Sequence, residues 1–160
     1  MLGAELLAVA GRDPRNFADS LLLSPDQLSE LAACPGVEIG AHSHSHAVLG
    51  TLNATQLDHE IAHSCRLLES WLGRRTRHFC YPFGGKRECG PREAARVGAQ
   101  GLVTATTTVK AVLARRHAET PFALPRVAIN GSQQQVELLQ TQLSGLVPAL
   151  NRSVWALGVG

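Results

Sequence analysis

A chain of 160 residues with 44% hydrophobic and 18% charged side chains has the make-up of one globular domain with a core of its own. A formal net charge of +2, with no Lys or Arg run interleaved with aromatics, excludes a nucleic-acid binder. No apolar stretch nears the roughly 18 residues that a membrane span needs, and the apolar start carries Glu5 and no basic leader, so neither span nor signal peptide is read and the expected compartment is cytoplasmic.

In chain order, Ser24-Pro25-Asp26-Gln27 opens the first predicted helix, with Ser as N-cap, Pro at the first position and Gln closing a capping box. Leu28, Leu31 and Ala32 form its stripe, and Cys34-Pro35-Gly36 stops it. Val37 to Ala41 predicts a strand that runs into His42-Ser43-His44-Ser45-His46. Asn53-Ala54-Thr55-Gln56 starts the longest helix, with Leu57, Ile61, Cys65, Leu68 and Trp71 or Leu72 on one face and Gly73 at its end. His59 and His63 stand four apart on that helix, and their polar company reads as a solvated face.

Thr76 to Tyr81 predicts a strand, broken by Pro82-Phe83-Gly84-Gly85. A helix over Pro91 to Ala99, a strand over Leu102 to Thr106, a polar linker from Thr107 to Phe122 and a strand over Leu124 to Ile129 follow. Asn130-Gly131-Ser132 then turns into a final helix through Leu143. Arg74, Arg75 and Arg77 make the densest basic patch, at a helix end whose dipole they complement. Cys34, Cys65, Cys80 and Cys89 are scattered, which argues against a zinc knuckle and a disulfide framework. The sequons at Asn53, Asn130 and Asn151 read as accidental in a cytosolic chain. Helices alternating with strands predict a parallel α/β sheet or part of a barrel, in which chemistry collects at the carboxyl ends of the strands.

Three imidazoles within five residues, at the end of a predicted strand, are the strongest chemical signal. Neutral imidazole is the commonest protein metal ligand, and alternating Ser and His has no packing use. Chance clustering on a solvated loop is the plain alternative. The Pro-Phe-Gly loop ends the next strand, so the two loops meet on one face and define one candidate site.

His42-Ser43-His44-Ser45-His46, followed by Phe79-Cys80-Tyr81-Pro82-Phe83-Gly84 and by Leu124-Pro125-Arg126-Val127, resembles the polysaccharide deacetylase family, the chitooligosaccharide deacetylase homology domain of carbohydrate esterase family four. The resemblance runs from about residue 23 to 145 within a single domain of residues 1–160. It implies a distorted, incomplete (β/α) barrel of parallel strands, and hydrolysis of the acetyl amide of an N-acetylated oligo- or polysaccharide with release of acetate. It implies a divalent metal, zinc first and cobalt or nickel next, held by His42 and His46. His44 is a weaker third ligand, and Arg77 a weak catalytic candidate. Tyr81, Pro82, Phe83 and Gly84 would line the sugar groove and lend a backbone N–H to the oxyanion.

The departures are specific. The family's early Asp-Asp, which supplies a metal ligand and the general base, has no counterpart, and the chain holds no Asp-Asp at all. The third-motif Arg aligns with Cys80, and the late His is missing. The chain reads as truncated at its N-terminus relative to the family, which leaves a sheet edge exposed for self-association. The alternative function is therefore a catalytically weak or inactive domain that binds glycan or a partner chain. Metallo-β-lactamase-like and amidohydrolase readings fail, the first for want of an Asp at position 46 and the second because its barrel needs about 250 residues.

Overall fold

In a computed structural model of the chain, residues 9–11, 13, 21–129, 131 and 135–146 are described. Both capping boxes close as their sequences dictate. The Ser24 hydroxyl accepts from Gln27 N–H and the Gln27 amide accepts from Ser24 N–H, starting α1 (Pro25–Ala33). Asn53 and Gln56 do the same for α2 (Ala54–Leu72), which Gly73 ends in the left-handed conformation, φ +64°. After α2 come β1 (His78–Cys80), α3 (Pro91–Ala99), β2 (Thr104–Lys110), β3 (Leu124–Arg126) and α4 (Val136–Leu143).

The three strands form a parallel sheet in the order β1-β2-β3, with Cys80 opposite Thr106 and Lys110 opposite Arg126. Burial alternates along them. Phe79, Tyr81, Ala105 and Thr107 are buried on the face that joins Leu57 and Ile61 of α2 and Val97 of α3 in the core, while His78, Cys80, Thr104 and Thr106 lie half-open on the other face. Helices over one face of a parallel sheet, with a polar opposite face, make a piece of barrel wall. The fold is the incomplete α/β barrel anticipated above.

Several boundaries differ from expectation. Of the strand predicted over 37–41 only Ala41 pairs, as a parallel bridge to Phe79 in which Ala41 N–H donates to the His78 carbonyl at 2.9 Å and Cys80 N–H donates to the Ala41 carbonyl at 2.8 Å. Upstream, Val37 N–H turns back to the Cys34 carbonyl, so the ladder does not extend. Conversely, β2 runs on through Thr107, Thr108 and Val109, into the predicted linker. These β-branched residues suit a strand, and β3 lies alongside to pair with them. The rest of that linker contains a 3₁₀ turn over Arg115–Glu119. β3 stops at Arg126, short of Ile129. Of the predicted turn at 130–132, Asn130 and Ser132 lie outside the described residues. No helix among the described residues is long and apolar enough to cross a membrane.

Candidate functional site

The loop after Ala41 holds two non-glycine residues in the left-handed region, Ser43 at φ +62° and His46 at φ +59°. Such a backbone persists only where its surroundings over-determine it. Glu60 on α2 supplies that restraint. Its Oε2 accepts the N–H groups of His44 at 2.9 Å and Ser45 at 2.8 Å, and its Oε1 accepts the Ser45 hydroxyl at 2.6 Å. Burial works against its ionisation, but these bonds outweigh that cost and hold the carboxyl below its ordinary range.

A second tie comes from β1, where His42 Nδ1 lies 2.7 Å from the Cys80 carbonyl. A carbonyl can only accept, so Nδ1 carries the proton and the lone pair of a neutral ring sits on Nε2. With the loop held at both places, the His42 and His46 rings converge, their centroids 4.9 Å apart at 74°. Among the described residues no three His, Cys, Asp or Glu side chains close on one point as they stand.

The neighbouring loop differs from the surface-lining segment expected. Tyr81 and Pro82 are core residues, and Gly84 is buried. Tyr81 continues the inward face of β1 two residues after Phe79, and its hydroxyl donates to the Phe122 carbonyl at 2.8 Å. Burial pushes that phenol well above its usual range. Tyr81→Phe is expected to cost about 1–2 kcal/mol in urea unfolding, because the Phe122 carbonyl loses its donor.

Only Phe83 stands out, 55% exposed and edge-on to His46 at 5.1 Å. The N–H groups of this loop can be accounted for one by one. Tyr81 N–H donates to the Thr106 carbonyl and Gly84 N–H to the Pro82 carbonyl, and proline has none. The Phe83 N–H has no acceptor among the described residues.

The remaining predicted site residues lie elsewhere. His44, the middle imidazole, turns to α2, its ring 4.3 Å from His63 and 5.8 Å from His59. Arg77 precedes β1, at the end of that strand opposite the His loop, where it lies 3.7 Å from Glu38 and is 60% exposed. A short strand puts its two ends at opposite sides of the sheet, so Arg77 is not brought to the site.

Two features were missed. Arg126, at the carboxyl end of β3, aims Nη1 at Cys80 Sγ, 3.7 Å away, and is the guanidinium that reaches the strand end beside His42. A carboxyl-end position in a motif already singled out was the available signal. His59 and His63 stack at 5.0 Å and face His44, rather than presenting a purely solvated surface. Partial desolvation, then the nearby His44, His59 and Arg66, hold His63 below the ordinary histidine range, with Glu60 opposing.

A cavity of about 1040 Å³ lies behind the Tyr81–Gly84 loop, between α3, the end of β2 and the 3₁₀ turn, and is lined by Phe122, Val109, Ala94 and Cys89 among others. Neither His42, His46 nor Phe83 borders it, and all three are exposed, so the candidate chemistry sits at an open surface outside this cavity.

No functionally curated protein matches the chain in sequence. In fold it is similar to the Streptococcus pyogenes deacetylase PplD, a structure in complex with acetate, at a TM-score of 0.65 and 21% identity over 75% of this chain and 50% of that one. A polysaccharide deacetylase from Bacillus cereus gives a TM-score of 0.65 and 20% identity over 76% of this chain and 36% of that one. A de-N-acetylase from Aggregatibacter actinomycetemcomitans gives 0.61 and 13% over 76% and 53%. The chain thus spans roughly a third to a half of the length of these structures. The sequence profile for polysaccharide deacetylases matches residues 8–102, which take in the His42–His46 loop, α2, β1 and the Phe83 loop, and the chain belongs to the polysaccharide deacetylase family.

Proposed function

We propose that this chain carries the metal-binding face of a carbohydrate N-deacetylase, which hydrolyses the acetyl amide of N-acetylated sugars in an oligo- or polysaccharide and releases acetate. The observation that carries this reading is the convergence of His42 and His46, 4.9 Å apart, at the carboxyl end of the Ala41 bridge, with His42 tied to the Cys80 carbonyl. Two imidazoles, one with its tautomer set, suit zinc, cobalt or nickel. Between His42 and His44 the buried Ser43 Oγ has no hydrogen-bond partner among the described residues, the condition of a group that a bound ion or water satisfies. The pair fits two positions of a metal's shell. A hydrolytic centre uses three protein ligands and a base, and the described residues place neither a third ligand nor a carboxylate base beside the pair.

When bound, such a metal polarises the acetyl carbonyl and lowers the pKa of a coordinated water. The chain's own residues prepare that chemistry. Cys80 fixes which nitrogen of His42 is available, and Glu60 fixes the loop. The Phe83 N–H, without an acceptor among the described residues, is the donor for the developing oxyanion, and the exposed Phe83 ring offers an apolar face to a pyranose.

A second reading is favoured by the missing Asp-Asp: a domain that binds metal and glycan but turns over slowly, since general-base assistance is worth roughly 10²–10⁴-fold. Acetate release from N-acetylated chitooligosaccharides with added zinc or cobalt separates the two. Metal-dependent release that His46→Ala abolishes supports the enzyme. Glycan binding by a folded, metal-loaded chain that releases no acetate supports the second reading and overturns the first.

A further inference from the structure

The structure holds a second imidazole cluster, apart from the proposed centre. On α2 the run His59-Glu60-Ile61-Ala62-His63 places two imidazoles four residues apart on one helical face, a spacing that holds zinc when the rings turn to a common point. The His42–His46 loop adds a third, so that the ring centroids of His44, His59 and His63 lie 4.3, 5.0 and 5.8 Å from one another. Three imidazoles at Zn–N distances of about 2.0–2.1 Å around a tetrahedral ion would have centroids about 5 Å apart. The observed spacings bracket that value.

The rings are not yet set for it. His59 and His63 stack nearly parallel, at 11°, and no three donors close on one point. His44 and His59 are exposed, so their rings are free to turn about χ1 and χ2 toward a common point. The backbone is where closure would otherwise be costly, and Glu60 has already placed it, by holding the N–H groups of His44 and Ser45.

We propose that His44, His59 and His63 form a second metal site, for an imidazole-seeking divalent transition ion such as zinc or nickel, which clamps the His42–His46 loop to α2. The site binds and holds; it does not hydrolyse. In a His-Glu-x-x-His zinc protease the glutamate serves as base. Here both oxygens of Glu60 are occupied by the loop, and the carboxylate is buried. Because His42 and His46 flank His44, an ion in this site restrains the same segment that presents the other pair.

The test is zinc affinity of the full, untagged chain, measured against a competing chromophoric chelator in a His42→Ala/His46→Ala background. That background makes the outcome independent of whether the His42–His46 pair binds metal. Zinc binding is expected to persist there, and to weaken on adding His59→Ala/His63→Ala by more than the roughly 10–100-fold that loss of an outer-shell partner costs. His44→Ala in the same background is expected to weaken it in the same direction, and as a loop substitution it leaves α2 intact should the helix variant fold poorly. Circular dichroism and thermal melting establish which variants are folded. Unchanged affinity in a folded His59→Ala/His63→Ala or His44→Ala protein, or no zinc binding in the folded background, overturns the proposal.

Discussion

Replacing Glu60 by alanine is expected to lower the unfolding free energy by about 3 kcal/mol and to weaken zinc binding at the proposed His42–His46 pair. Three donors, the N–H groups of His44 and Ser45 and the Ser45 hydroxyl, would lose one carboxylate. Hydrogen bonds to a charged group are worth about 1.5–3 kcal/mol each, and the desolvation of Glu60 offsets part of their sum. The positive φ of Ser43 and His46 then loses its restraint from α2, only the tie to Cys80 remains, and the two rings are expected to separate. Urea unfolding and zinc titration of Glu60→Ala check both halves. A variant that unfolds early but binds zinc as the parent does would sink the positioning role.

The pH dependence follows from the same bonds. The carboxyl of Glu60 is held below its ordinary value of 4.5 in the folded state. Its stabilisation is therefore complete above that value and is lost as pH falls through the lower folded one. The gap in stability between the parent and Glu60→Gln is expected to stay constant at neutral pH and to shrink in acid below about 4.5. A gap that widens in acid would mean that Glu60 is neutral in the fold.

Gly84→Ala is expected to cost about 2–4 kcal/mol, from two separate causes. Gly84 sits at φ +51°, where an L side chain is strained, and an added Cβ would lie 2.7 Å from Thr108 N and 3.1 Å from Thr108 Cγ2. That contact is backbone, so it cannot swing aside. Thr108 also holds the loop, its N–H donating to the Gly84 carbonyl at 2.8 Å and its hydroxyl to the Phe83 carbonyl at 2.7 Å, so pushing it away displaces Phe83. Gly73→Ala is the control. Its φ is +64° with nothing within 4 Å, and it should show only the strain, about 1 kcal/mol. Equal losses in urea unfolding of the two variants would show that crowding at Thr108 contributes nothing.

What could be read from the sequence was whatever depends on near neighbours. The caps at Ser24 and Asn53, the stop at Gly73 and the helix over Pro91–Ala99 each rest on residues within a turn of one another, and each is found. What depended on distant partners was harder. β2 reaches Lys110 because β3 lies beside it, and the 37–41 segment pairs only at Ala41 because Val37 bonds back to Cys34.

At the site, the converging pair was visible as a motif. The divergence of His44 was not, since it depends on left-handed residues that are not glycine and on a glutamate from another element. Tyr81 is a different matter. Its burial two residues after Phe79 follows from strand period, and the strand predicted over 76–81 already contains it; only the resemblance places it in the sugar groove.

The loop's anchorage has a further consequence, for cooperativity. Binding loops are usually drawn from the least stable parts of a fold, and open on their own. This one hangs from β1 through Ala41 and His42 and from α2 through Glu60, so the His44 and Ser45 amides open only when their bonds to Glu60 break. The segment that carries the proposed ligands is therefore coupled to the folding unit of the core, more keyhole than lid.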